Sequence, residues 1–409
     1  MMATQVPKYI QDDPELGLEY DIKLIQKTFK DLGCPKDLFD PFPALRSGCK
    51  YIVDLSERST GKTTQWLLVG LVMYWLYGCQ TQYIRQTEDM IMPKATRDLF
   101  SVILKYDYVS KLTGGEYNSI TYKARRWFLA YCDETGTVIR EDSTHFCFMA
   151  SIDKAMDLKS GYNAPYGDLI IFDEFIGKFY QPNEFVWFCD LTKTIIRDRH
   201  SPIIVMAANT IERHSQYFNE LEIYDEVQQL QIGDHKVLTS QRGTKIYVDL
   251  IGIAPKRRSK RSLVNQLFYG FKNPRLASIT GGDWAIDPYQ HIPPKSEARC
   301  ISRQLYIYHN SKYVRLDLMQ DPQLGLCVFL HWATRIYDDS IILTTADRTD
   351  PRYQYKLGPE RISRLIRYCM DSNRMYYATN DVGSFVKNYL NYCKKTCLTF
   401  VRFYGILLL

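Results

Sequence analysis

One stretch constrains this chain more than any other. A short apolar run, Tyr51 to Leu55 (YIVDL), leads into Ser56-Glu57-Arg58-Ser59-Thr60-Gly61-Lys62-Thr63, and an apolar segment from Trp66 to Tyr77 follows Thr64. Strand, small-residue turn, Gly-Lys-Thr and helix make up the phosphate-binding loop pattern GxxxxGK[ST]. The chemistry behind it is specific. Backbone N–H groups of the turn and of the helix start face a polyphosphate. In that pattern the lysine, here Lys62, can reach the terminal phosphates, and the hydroxyl, here of Thr63, can sit on magnesium. One position departs from the pattern: Ser56 stands where the first Gly is expected.

The surrounding sequence supplies the frame for such a loop. Asp168 to Phe172 (DLIIF) and Ser201 to Ala208 (SPIIVMAA) read as continuous apolar strands, with a further strand at Thr81 to Arg85. Solid apolar strands separated by helical segments predict an α/β fold with a mostly parallel sheet. Single strands are expected over 119–133 and 137–151, and helices over 18–32 and 88–106. Past residue 215 the character changes: an acidic helical piece (220–230), a hairpin (236–252), the basic run Lys256-Arg257-Arg258-Ser259-Lys260-Arg261, then a Pro/Gly-interrupted stretch. Strand-like segments resume at 305–318, 326–334 and 340–345, followed by a helix (360–372), a strand (375–379) and a helix (383–393). The expected organisation is a nucleotide domain over 1–215, a linker module over 216–298 and a second α/β domain over 299–409.

Composition excludes little. Hydrophobic content of 45% with 24% charged residues is ordinary for a globular protein, and a net charge of +6 permits a polyanionic partner without requiring one. The 11 cysteines form no CxxC pair, as expected for reduced thiols. The N-terminus lacks a signal-peptide core, and the Trp66–Tyr77 run is too short to span a bilayer, so no membrane role is expected.

Asp173 and Glu174 end the third apolar strand. In a nucleotide hydrolase the first acid holds magnesium and the second polarises the attacking water. Alone, the pair reads equally as a strand end capping the next helix. At least one strand is expected between the Gly-Lys-Thr and Asp-Glu strands, the layout of ATPases whose catalytic Glu adjoins the magnesium Asp. Asn209 ends the next strand, where it senses the terminal phosphate or simply makes a turn. Arg197 and Arg199 precede that strand. Either presents to a neighbour's nucleotide as an arginine finger, or both decorate a solvated helix end. Arg58 within the loop and Lys159 in DLKSGYNAP are further nucleotide candidates, with surface exposure as the alternative. The basic run at 256–261 suits phosphate-backbone contact or a solvated linker.

Together these pieces resemble the large-terminase family of viral DNA-packaging ATPases, in the compact form of small tailed phages of the phi-29 kind. The resemblance rests on SERSTGKTT with an Arg inside the loop, DLKSGYN, LIIFDEF and IIVMAANT, and it covers the first half better than the second. It implies a ring, a pentamer, seated on the portal of a prohead in the host cytoplasm. The ring would hydrolyse ATP with Mg2+ to drive double-stranded DNA inward, with a structural prohead RNA as a further partner. It assigns phosphate binding to residues 56–64 (Ser56, Glu57, Arg58, Ser59, Thr60, Gly61, Lys62, Thr63, Thr64). Magnesium falls to Thr63 and Asp173, the general base to Glu174, coupling to Asn209 and the finger to Arg197 or Arg199. For the second half it implies an RNase H-like domain, degenerate as a nuclease. Asp317, Asp338, Asp347 and Asp381 are the acids available there if cleavage is retained. The alternatives are a terminase that also cuts DNA, and a scaffold that binds nucleotide without turnover.

Overall fold

A computed structural model describes the chain except for residues 1–19, 36–37, 57–59, 156–166, 178–179, 181–182, 197–201, 210–212, 253–288, 293–296, 346–347 and 397–409, and the side chains of 391, 392 and 394–396. The phosphate-loop strand, β1 (Tyr51–Ser56), lies inside a ten-stranded sheet. Its partners in chain order are β2 (Thr81–Arg85), β3 (Ser119–Lys123), β4 (Arg126–Cys132), β5 (Val138–Glu141), β6 (Cys147–Ser151), β7 (Leu169–Asp173), β8 (Ile203–Asn209), β9 (His235–Thr239) and β10 (Lys245–Ile251). The spatial order is β3-β4-β6-β2-β7-β8-β1-β10-β9, with β5 on β4. From β6 to β10 every neighbouring pair is parallel; antiparallel strands extend both ends. The fold is therefore α/β with a mostly parallel central sheet, and β8 separates β1 from β7, as the sequence predicts.

The apolar runs at the centre are continuous because both faces of the sheet are covered. Along β1, Ile52 enters one hydrophobic layer and Val53 and Leu55 the other; along β7, Ile171 and Phe172 divide in the same way. On the first face lie α1 (Ile22–Asp31) and α2 (Lys62–Tyr77). On the second lie α3 (Glu184–Ile196) and α4 (Tyr224–Gln229). Helix α2 has no solvent-facing stripe over its middle: every residue from Trp66 to Tyr74 is buried. Gly70 permits this, since a Cβ there would stand 2.2 Å from Thr81 Oγ1 on β2. The helix backbone rests directly on side chains of the sheet there.

Three kinds of expectation are corrected: single strands that divide, an unbroken helix, and the place of a hairpin. The segment 137–151 is two strands, β5 and β6. The segment 119–133 is a hairpin, β3 and β4, turning at Ala124 and Arg125 with φ of 47° and 66°. Likewise 305–318 is two strands turning at Asn310 and Ser311, φ 49° and 57°. Two consecutive positive φ values mark the primed turns that match strand twist; they usually carry Gly, and neither turn does. The expected helix over 88–106 is interrupted, with helical pieces at Glu88–Met90, Pro93–Thr96 and Ser101–Lys105; Pro93 cannot extend a preceding helix. Third, the hairpin from the expected linker is β9 and β10, and β10 pairs in parallel with β1 throughout, Tyr51 opposite Ile246 to Ser56 opposite Ile251. The first sheet thus continues to residue 251.

A second sheet begins at Arg299. It comprises β11 (Arg299–His309), β12 (Lys312–Asp321), β13 (Gly325–Trp332), β14 (Ile341–Leu343), β15 (Tyr353–Gln354) and β16 (Met375–Tyr377), in the order β15-β14-β11-β12-β13-β16. The central three strands form an antiparallel meander and the outer ones join in parallel. One face carries Leu305, Ile307, Val314, Leu316 and Leu330 against α5 (Arg361–Asp371) and α6 (Asn380–Thr396).

The two layers meet at His214, which is 1% exposed. Its ring bonds Asp381 at 2.8 Å through Nε2 and Tyr224 at 2.5 Å through Nδ1. Asn310 donates to its carbonyl at 3.3 Å. Lys312 lies over the Tyr224 ring at 4.7 Å, closing the seam from the other side.

Candidate active site

The C-terminal ends of β1, β7 and β8 converge on one cavity of about 360 Å³. This is the edge at which ligands bind in open parallel sheets. From β1 and the start of α2 come Thr60, Gly61, Lys62, Thr63 and Thr64. Asp173 and Glu174 come from β7, and Ala208 and Asn209 from β8. Register explains the meeting: Ser56 is the direct partner of Asn209, and Asp173 of Ala207. Gly61 adopts φ 92° where the loop enters the helix, and a Cβ there would stand 2.9 Å from Leu38 Cδ2. Only glycine suits both the angle and the space.

Lys62 is 6% exposed, and its ammonium donates to Ser56 Oγ. Ser56 Oγ is in turn 2.9 Å from Thr60 Oγ1. Burial pushes the Lys62 ammonium down to about 8, while the charges of Asp173, Asp54, Glu174 and Asp249 oppose that fall. Behind the loop, Asp54 of β1 lies directly opposite Asp249 of β10. Trp66 Nε1 donates to Asp54 at 2.6 Å. Burial and the neighbouring Asp249 carboxylate push Asp54 up to about 7, against the pull of Trp66 and Lys62. Burial pushes Asp249 up to about 6, moderated by His235 and Lys62.

In front of the loop, Thr63 Oγ1 donates to both Asp173 oxygens, at 3.1 and 3.0 Å. The Tyr83 hydroxyl donates to Asp173 Oδ2 at 2.7 Å. Arg85, at the end of β2, reaches Tyr83 Oη at 3.1 Å, Asp173 at 3.4 Å and Glu174 Oε2 at 2.5 Å. Burial drives the Tyr83 phenol well above its ordinary value, and the Asp173 charge adds to the rise. The Glu174 side chain is 45% exposed. Its backbone sits at φ 54° with its N–H donating to Asp173 Oδ1 at 3.1 Å. A left-handed glutamate at a strand end is uncommon.

A hydroxyl in contact with a carboxylate, beside a positioned ammonium, fits a hard divalent cation and a polyphosphate. Thr63 and Asp173 are oxygen donors of the right class, and Tyr83 and Arg85 orient the acid from behind. Sequence reading thus places Lys62, Thr63, Asp173, Glu174 and Asn209 together, and the structure does the same. It misses Tyr83, Arg85, Asp54 and Asp249. The strand TQYIR ends in a cation, but only its pairing with β7 shows what that cation faces.

Glu57, Arg58, Ser59, Lys159, Arg197, Arg199, Asp347 and the basic run at 256–261 lie outside the described residues. In the second layer, Asp317 is engaged by Arg315 at 2.7 Å and His331 at 3.2 Å, and Asp381 by His214. Burial pushes Asp317 up, but His331 and Arg315 outweigh it and hold the carboxyl below its ordinary value. Asp338 is exposed. Among the described residues, no group of three or more His, Cys, Asp or Glu side chains is placed to hold a metal ion, and no helix is long and apolar enough to cross a membrane.

Fold and site define an α/β protein with a loop of the phosphate-binding pattern and an acidic pair one strand removed from it. No family model matches the sequence, and no curated protein does. Solved structures do. The chain is similar to the bacteriophage Phi-29 viral genome packaging motor assembly, with TM-score 0.52 and 14% identity over 87% of this chain and 99% of that one. It also matches the Phi-28 gp11 DNA packaging motor (TM-score 0.49, 15% identity, 88% and 99% covered). A third match is the large terminase ATPase domain of Thermus phage P74-26 (TM-score 0.38, 17% identity, 63% and 97% covered). At these identities the likeness is one of fold.

Proposed function

We propose that this chain hydrolyses ATP as one subunit of a ring, a pentamer, that drives double-stranded viral DNA through the portal into a preformed prohead in the host cytoplasm. One observation carries the hydrolytic reading. Thr63, Asp173, Glu174 and Asn209 line one cavity with Lys62, although they come from one helix start, two strand ends and 148 positions of sequence (62 to 209 inclusive). The packaging reading draws support from the likeness of fold to solved packaging motors and from the sequence resemblance.

The residues divide the work as follows. Lys62 and the helix start bind the terminal phosphates. Thr63 and Asp173 would hold Mg2+, which supplies charge neutralisation when bound. Glu174 accepts a proton from the attacking water as its oxygen bonds to the γ-phosphorus and the bond to the β–γ bridging oxygen breaks, leaving ADP and phosphate. Asn209 faces the γ-phosphate position. Arg197 or Arg199 from a neighbouring subunit completes the charge. The second layer acts as an RNase H-like domain without cleavage that binds DNA, portal or a structural prohead RNA. Its antiparallel meander with flanking parallel strands supports that reading, as does the engagement of Asp317 by Arg315 and His331.

Phosphate release, measured with DNA and portal-bearing proheads, tests the proposal. Turnover should rise with both present and be lost in Lys62→Ala and Glu174→Gln. If wild type releases no more phosphate than Glu174→Gln in the full assembly, the motor reading fails. Manganese-dependent plasmid nicking that Asp317→Asn abolishes would restore the nuclease alternative.

A further inference from the structure

The departure at Ser56 has a physical role. A buried ammonium on a flexible four-carbon stem requires a partner, because leaving it unpaired costs more than the hydrogen bond itself is worth. Here Ser56 Oγ is such a partner for Lys62, and Thr60 Oγ1 at 2.9 Å braces Ser56. The three residues are 1%, 6% and 6% exposed, so water does not compete. Gly, the residue the loop pattern expects at this position, has no side chain with which to do this.

The need is greater in this loop because Lys62 stands between two sets of acids. Asp54 and Asp249 lie behind it on β1 and β10, Asp173 and Glu174 in front, and all four attract the ammonium. Of the four, Asp173 attracts the ammonium most; an ion pair with it would take the lysine off the phosphate position and occupy the carboxylate that the cation needs. An ammonium has three donors, so one bond to Ser56 leaves two for phosphate oxygens.

We propose that Ser56 is a positioning residue: its hydroxyl fixes Lys62 between the two acid sets, aimed at the phosphates and off Asp173. The proposal rests on the nucleotide reading of the cavity. Its consequence runs against the motif, because restoring the expected glycine should harm binding.

The test is nucleotide affinity by direct titration of the full chain with a fluorescent ATP analogue, with and without Mg2+. Ser56→Ala and Ser56→Gly should each bind about 10-fold more weakly, the scale of one charged hydrogen bond. Their half-saturating Mg2+ should rise by a similar factor, because Lys62 then competes for Asp173. Ser56→Thr, which keeps the hydroxyl, should behave as wild type. Loss of packing alone would weaken binding without moving the Mg2+ requirement. If Ser56→Ala does not fold, Ser56→Gly and Ser56→Thr carry the comparison. Ser56→Gly that binds as tightly as wild type, or more tightly, overturns the proposal and leaves the nucleotide reading intact. A wild type whose binding Lys62→Ala does not weaken removes that reading, and the proposal with it.

Discussion

Aspartates end or line strands in both layers, and the two layers treat them differently. At the end of β7, Asp173 is held by hydroxyls, Thr63 and Tyr83, with Arg85 at the longer distance of 3.4 Å. Its neighbour Glu174 lines the cavity, 45% exposed, with one oxygen bonded by Arg85 at 2.5 Å. In the second layer, Asp317 is closed by a bidentate arginine and a histidine, Asp381 by a buried histidine. A hydroxyl takes one lone pair and brings no charge; a guanidinium takes two and sets a full positive charge against the carboxylate. One arrangement suits a dissociable cation, the other a permanent structural contact.

The largest effect that would break this contrast is at Glu174. Glu174→Gln should lower ATP turnover by about 10²- to 10⁴-fold while nucleotide affinity stays near wild type, since only the proton acceptor is lost. Stopped turnover assays beside binding titrations check it. Lys62→Ala should cost about 10²- to 10³-fold in turnover and weaken binding as well. Tyr83→Phe removes one orienting bond from Asp173, and the Mg2+ needed for half-maximal turnover should rise about 10-fold. Asp317→Asn in the second layer should leave turnover unchanged; a loss matching that of Glu174→Gln would erase the distinction.

The smallest effects are on stability, and their signs differ between layers. Asp317 is held below its ordinary value, so its contribution is full above the unfolded value of 3.8 and is lost as pH falls through its lowered folded value. Asp317→Asn should flatten the acid limb of stability. Asp54 is raised to about 7 from 3.8, so the folded state binds the extra proton. Its contribution is present below 3.8 and is lost as pH rises toward 7. Asp54→Asn should flatten the decline between pH 4 and pH 7. Chemical denaturation at a series of pH values reads both slopes.

Much of the first layer was legible in sequence because its signals are local. A solid apolar strand announces burial on both faces, and Asp173-Glu174 and Asn209 stand at strand ends where the chain must turn. The partners of those residues were not legible. Arg85 acquires meaning from β2 lying beside β7, and Asp249 from β10 lying beside β1, and no local pattern carries strand order. The hairpin of β9 and β10 was readable as a hairpin, but its attachment to the first sheet was not. The turns at Ala124-Arg125 and Asn310-Ser311 escaped because they reach left-handed angles without glycine.

Helix α2 carries Lys62 and Thr63 at its first turn, and its middle is walled in on all sides, down to the glycine against Thr81. A rod clamped along its length cannot rock or slide without emptying the layer around it. In the proposed reading, the grip on phosphate is therefore the stationary jaw of the site. On that reading, movement during turnover falls to the other jaw: Glu174 and the Arg85 that reaches it.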